Sequence, residues 1–89
     1  MKAIKVRNME SNRTGDAIAN QFVIETKDGE YLQSYNTIIA FVGNRGNVLL
    51  DKNAWNYSRT TAKYRGYFLH ENTKETQAKI DKGEYKLVS

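Results

Sequence analysis

The 89-residue chain changes its hydrophobic period once, near residue 55. Before that point apolar positions alternate or come in short runs, as in strands. After it they recur every three or four residues, as in a helix. Residues 2–8 alternate Ile4 and Val6 with Lys5 and Arg7, which predicts a half-buried first strand. Residues 9–19, through Ser11-Asn12-Arg13-Thr14-Gly15-Asp16, collect turn formers with little periodicity and are expected to form a mobile loop. A hairpin is predicted where residues 22–27 run into Asp28-Gly29 and return as residues 30–35, because Asp-Gly suits a two-residue type I′ turn. That turn sets Thr26 opposite Tyr31, Ile24 opposite Gln33 and Phe22 opposite Tyr35, all on one face. Phe22, Ile24 and Tyr35 make that face the expected core, with Lys27 facing Glu30 on the other side. Residues 37–42 are rich in β-branched side chains and predict a central strand. Gly43-Asn44-Arg45-Gly46 predicts a turn, and residues 47–50 a short strand that completes an antiparallel meander.

On a wheel at 100° per residue, Thr61, Tyr64 and Phe68 fall within about 40° of Tyr57. Arg59, Lys63, Gly66 and His70 fall roughly opposite, and Arg65 near the edge of the apolar stripe. This predicts an amphipathic helix over residues 58–70 with Ser58 as N-cap and a basic outer face. Trp55, Tyr57, Tyr64 and Phe68 are its expected core filling. Gly66 costs such a helix about 1 kcal/mol relative to Ala and leaves room for a neighbouring backbone. Asn72 followed by Glu75 predicts a second, short helix opening on a capping box, with Gly83 just past its end. Residues 84–88 alternate and can close the sheet. The expected architecture is α+β: one domain over residues 1–89, with a mostly antiparallel sheet of four to five strands and both helices packed on one face.

Composition narrows the function classes. The chain is 39 % hydrophobic, with six Tyr, three Phe and one Trp, enough for one thin core. It has no Cys, which excludes disulfides and thiolate metal ligands. His70 is the single histidine, so no multi-histidine metal site and no cofactor are expected. The apolar runs fall far short of the ~20 residues that span a bilayer, and no apolar signal core follows Met1-Lys2. A soluble intracellular protein without membrane partners is the expectation.

The net charge of +4 is unevenly placed. Residues 1–51 carry six basic and six acidic side chains, and residues 71–89 carry four of each. Residues 52–70 hold Lys52, Arg59, Lys63 and Arg65 with no acid, so the whole excess lies there. A one-signed stretch attracts anions such as phosphate backbones or acidic protein faces, although surface charge also serves solubility. The same stretch interleaves rings and hydroxyls with the cations, a mixture used on nucleic acids: cations and hydroxyls on phosphates, rings on bases. The expected contact residues are Lys52, Arg59, Thr60, Lys63, Arg65 and Tyr67, with Arg45 as a separate contact at a hairpin tip. No nucleophile–base arrangement is present. His70 at a helix end complements the helix dipole, and Gly43-Asn44-Arg45-Gly46 lacks the Lys-Ser/Thr ending of a P-loop. An enzyme is therefore not expected.

The run from Trp55 through Tyr57, Ser58, Thr60, Thr61 and Tyr64 to Phe68-Leu69, preceded by Gln33-Ser34-Tyr35 and Ile38-Ile39-Ala40, resembles a small domain family of bacteriophages and bacterial mobile elements. The resemblance covers residues 20–88 and includes Gly83-Glu84-Tyr85-Lys86-Leu87. It implies an uncharacterised phage-type accessory protein acting in the cytoplasm of a bacterial host. The expected function is a non-enzymatic binding module whose basic helix face contacts an anionic surface, most simply DNA or RNA. The alternatives are an inhibitor that binds a host or defence protein complex, of the anti-CRISPR type, and a homodimer or higher homo-oligomer with an accessory structural role.

Overall fold

In the computed structural model, residues 4–11 and 13–89 are described. Lys2 and Ala3 of the expected first strand, and Asn12 of the expected loop, lie outside them. Eight elements follow one another: β1 (Lys5–Glu10), β2 (Ala17–Thr26), β3 (Gly29–Ser34), β4 (Thr37–Gly43), β5 (Val48–Asp51), α1 (Arg59–Leu69), α2 (Thr73–Asp81) and β6 (Tyr85–Val88). The strands form one six-stranded sheet in chain order. The α+β class is as expected, but the sheet is larger and mixed. The first four pairings are antiparallel, and β6 joins β5 in parallel. The parallel pairing follows from connectivity: α1 and α2 carry the chain back to the end of the sheet where β5 began.

The 9–19 loop is shorter than expected. β1 continues through Glu10 and β2 begins at Ala17. The remaining turn is tied by Ser11 N–H to the Asp16 carbonyl at 2.8 Å and Gly15 N–H to the Ser11 carbonyl at 2.9 Å. Turn-forming residues thus make a hydrogen-bonded turn.

The hairpin expectation is corrected twice. Thr26 pairs with Gly29, so the two-residue turn is Lys27-Asp28, and Ile24 opposes Tyr31 while Phe22 opposes Gln33. Glu25 rather than Lys27 now faces Glu30, and Arg7 reaches both carboxylates at 3.8 and 3.6 Å. The reason lies outside the hairpin. Gly29 has φ +149° and lies against β4, where an added Cβ would overlap the Val42 carbonyl oxygen. Only glycine lets β3 begin there, so Gly29 is a strand residue and not a turn residue. The second correction concerns the core. The buried side of this hairpin carries Gln21, Val23, Leu32 and Ser34; Phe22 and Ile24 are only half-buried and Tyr35 is exposed.

Register explains that choice. One row of side chains crosses all six strands on the helix side: Arg7, Val23, Leu32, Ala40, Leu50 and Leu87. A bulge in β4 turns Ile39 as well as Ala40 into the core, and both are buried with Leu32 and Leu50. Each such Leu or Ile contributes about 1.5–3 kcal/mol on burial. Trp55, Tyr64, Phe68, Leu69 and Ile80 pack over this row from the helix layer.

Both helices obey their local signals. The Ser58 hydroxyl accepts from Thr61 N–H at 3.1 Å, and His70 ends α1 in the left-handed conformation with its N–H on the Gly66 carbonyl. Asn72 and Glu75 form the reciprocal capping box of α2, at 2.8 and 2.9 Å. A Cβ on Gly66 would lie 2.8 Å from the Glu71 carbonyl oxygen, so this glycine admits the turn between the helices. Helix α2 is clasped to β6 by a polar cluster. The buried Glu71 carboxylate accepts from Lys79 Nζ at 2.6 Å and Thr76 Oγ1 at 2.8 Å, and Lys79 reaches Tyr85 Oη at 3.4 Å. Among the described residues, no helix is long and apolar enough to cross a membrane.

Unfolding measurements test both the glycine placements and the Glu71 cluster. Gly29→Ala should cost about 2 kcal/mol or more in urea unfolding, because backbone must move. Gly46→Ala, at φ +86° but in open space, should cost only about 1 kcal/mol of backbone strain. Burial alone would raise the pKa of Glu71, but hydrogen bonds from Lys79, Thr76 and Tyr85 and the Lys79 charge outweigh it and hold it below the ordinary value of 4.5. A depressed folded-state pKa stabilises the fold fully above the unfolded pKa, and the contribution is lost as pH falls through the folded value. Melting temperature should therefore drop on acidification below about 4.5, and Glu71→Gln should flatten that acid limb.

Candidate anion-binding groove

Helix α1 runs back along β3. Thr61 Oγ1 meets Ser34 Oγ at 3.3 Å near one end, and Tyr67 and Phe68 reach the crevice over Val23 and Glu30 at the other. Its buried line passes through Thr61 and Arg65. The helix is therefore rotated from the stripe expected at Tyr57, Thr61, Tyr64 and Phe68. Tyr64 and Phe68 flank the buried line, and Tyr57 is 53 % exposed.

This rotation removes one expected contact residue from the surface. Arg65 is fully buried. Its guanidinium donates to the Trp55 carbonyl, to Thr73 Oγ1 at 2.7 Å and to Asn56 Oδ1 at 3.4 Å, and lies 4.9 Å from the centre of the Trp55 ring. Burial lowers its pKa while the nearby Glu71 charge opposes the shift, and an arginine remains protonated through such a shift. Arg65 joins the segment before α1 to the start of α2, and no partner can reach it. A helical wheel places Arg65 only near the edge of the apolar stripe. It cannot register that carbonyl, amide, hydroxyl and ring acceptors converge from two other segments.

The remaining helix residues behave differently. Arg59, Lys63 and Tyr67 are exposed and follow one another at intervals of four on α1. With Ala62, Gly66 and Thr73 they line an open groove of about 450 Å³ that runs to the start of α2. Lys63 Nζ is 5.4 Å from the Tyr64 ring centre, and Tyr67 packs edge-on to Tyr64 at 5.7 Å, so both groove side chains are supported from below. Glu71 also borders the groove, but its carboxylate is turned inward to Lys79 and Thr76. Thr60 is exposed in the first turn of α1, a turn that contains no acid. Lys52 is exposed in the turn after β5, where its N–H bonds to the Val88 carbonyl at 2.8 Å. Arg45 lies in the turn before β5, at the opposite end of that strand from Lys52, and is separate from the groove.

The groove can hold an extended anion. Arg59 and Lys63 lie about one helical turn apart on the same face, since four residues rise about 6 Å. The N-terminus of α2 beside the groove is already engaged by the Asn72–Glu75 capping box, which sets the Glu75 carboxylate in its first turn. A second crevice, of about 290 Å³, gathers Arg7, Glu10, Glu30, Tyr67 and His70. It brings together three distant segments, so nothing in the residue spacing announces it, and Arg7 there is already engaged by Glu25 and Glu30. Among the described residues, no three His, Asp or Glu side chains converge as a metal site.

Removing the Arg65 side chain should expose how much of this geometry it fixes. Arg65→Ala should cost about 3 kcal/mol in urea unfolding, since buried acceptors lose their donor. Lys63→Ala, on the exposed side, should stay within about 0.5 kcal/mol of the parent.

The model of a family of unknown function, DUF8033, matches residues 4–84. No curated protein and no solved structure matches the chain.

Proposed function

The chain belongs to DUF8033, and we propose that it is a non-enzymatic binding module that holds the phosphodiester backbone of a nucleic acid in the α1 groove. The observation that carries this reading is the line of Arg59, Lys63 and Tyr67 along one open groove, with the adjacent carboxylate of Glu71 turned away. Arg59 and Lys63 supply phosphate contacts, and the Thr60 and Thr73 hydroxyls add neutral donors beside them. Tyr67 offers a ring edge or face to a base or sugar. Lys52, exposed in the turn after β5, adds to the positive charge of the acid-free stretch over residues 52–70. A phage-encoded accessory role in a bacterial cytoplasm rests on the sequence resemblance alone, and it would place host or phage nucleic acid within reach.

Fluorescence anisotropy with labelled single-stranded DNA, duplex DNA and RNA tests the reading. Binding should weaken linearly in log affinity against log salt, and Arg59→Ala or Lys63→Ala should each reduce the slope by about 0.7–0.9, one released counterion. Arg45→Ala, outside the groove, should leave the slope unchanged. Absence of binding at low salt, or a slope indifferent to both groove substitutions, would discard nucleic acid as the ligand. Recovery of a host protein instead would assign the cations to an acidic protein face.

A further inference from the structure

The sheet has two faces, and the helices cover one. The uncovered face carries its own continuous row across all six strands: Val6, Ile24, Tyr31, Phe41, Leu49 and Lys86. Five of these six are apolar. Tyr31 and Phe41 pack ring against ring at 4.6 Å. Beside them Ile38 is 40 % exposed and Val88 41 % exposed, and with Leu49 they line a shallow apolar hollow of about 260 Å³. An antiparallel sheet with one solvated face normally alternates apolar and polar, whereas strands covered on both faces do not. Strands β4 and β5, with their near-continuous apolar runs, read as covered on both faces.

We propose that a second copy of this chain covers the open face, the two sheets packing face to face as a sandwich. Three observations select a second copy over other occupants. The first is area. The molecule measures 34 × 33 × 21 Å, so a two-layer body turns one of its broad sides outward as this face. Such a side accommodates the roughly 800 Å² per partner of a stable interface. The second is charge. From β2 to β6 the face carries only Asp51 and Lys86, which cancel, although the chain as a whole is +4. A nucleic acid or an acidic protein would be met by cations there, but a neutral apolar face is the composition of homodimer interfaces. The third is shape. A single sheet with native twist packs on a copy of itself at about 10 Å with strands aligned within about 30°. The two α1 grooves would then lie on the outer surfaces of the dimer.

Sedimentation velocity across a range of concentrations, with the whole chain, tests this. The expected result is a species of about twice 10.2 kDa with a dissociation constant of roughly 10 μM or tighter. Melting temperature should rise with protein concentration, as it does for a dimer. Ile38→Glu should raise the dissociation constant by a factor of about 100 or more, since a charge would enter the apolar contact. Circular dichroism at low concentration checks that this variant is folded, and Val88→Glu on the edge strand β6 replaces it if it is not. A monomer at ~100 μM, well above that expected constant, overturns the proposal. So does a dimer that persists in a folded Ile38→Glu or Val88→Glu, which would indicate pairing of strand edges. Loss, by a monomeric Ile38→Glu, of binding to an oligonucleotide too short to reach both grooves would give the face to nucleobases and equally overturn it.

Discussion

The buried guanidinium of Arg65 sets the orientation of everything on the helix side of the sheet. A short helix with a modest apolar stripe can rotate about its axis at little hydrophobic cost. A planar fork of donors cannot, because it must meet the Trp55 carbonyl, Asn56 Oδ1 and Thr73 Oγ1 together. With Arg65 turned inward, Arg59, Lys63 and Tyr67 fall about 120–200° around the helix and so face outward. The same contacts draw the start of α2 against α1, where Gly66 gives it room. The groove is thus a consequence of an arginine that contributes nothing to its surface.

What the sequence made legible is what is decided locally. Ser58 caps α1, the Asn72–Glu75 box opens α2, and Gly83 follows its end in a left-handed conformation. Each depends on residues three or four apart. The meander was legible for the same reason, since short turns join neighbouring strands. The errors came from information carried across the fold. Asp28-Gly29 looks like a turn pair until β4 is laid beside Gly29. The core side of the hairpin could not be chosen from alternation because its buried side, with Gln21, Val23, Leu32 and Ser34, is less apolar than the side carrying Phe22, Ile24 and Tyr31. Of the expected site residues, Arg59, Lys63 and Tyr67 share one groove, while Arg65 is buried by partners from two other segments and Arg45 lies at the far end of β5.

The distribution of polarity between the two faces is inverted from the usual one. The covered side contains Gln21, Ser34, Thr61, Arg65 and Thr76 among its most buried residues. Ser34 and Thr61 meet across the helix–sheet contact, whereas the Gln21 amide finds no partner among the described residues. Such groups add little net stability but penalise any helix placement that leaves them unpaired. The covered side is therefore specified by polar fit, and the helices are held in one position. The open side sets Phe22, Ile24, Tyr31, Phe41 and Leu49 around Gln33, whose amide donates to the Tyr35 carbonyl at 2.8 Å, and so carries more apolar bulk. That suits a contact whose register is fixed by shape and symmetry.

Placing the polar groove and the apolar face on opposite sides of one thin sheet makes them sterically independent. A ligand in the groove does not obstruct sheet-to-sheet packing, and a dimer leaves both grooves open. Two outward grooves back to back reach two separate strands, or two distant segments of one, more readily than adjacent sites on a single duplex. The second contact then becomes intramolecular, and its gain depends on whether the nucleic acid can loop from one side of the dimer to the other. A long flexible single strand meets that geometric demand. A short stiff duplex does not, since bending it through so tight an arc costs several kcal/mol by elastic estimates. If one groove binds weakly, as two cations and a few hydroxyls imply, pairing the grooves through the sheet is what would raise the overall affinity for long flexible ligands over short ones.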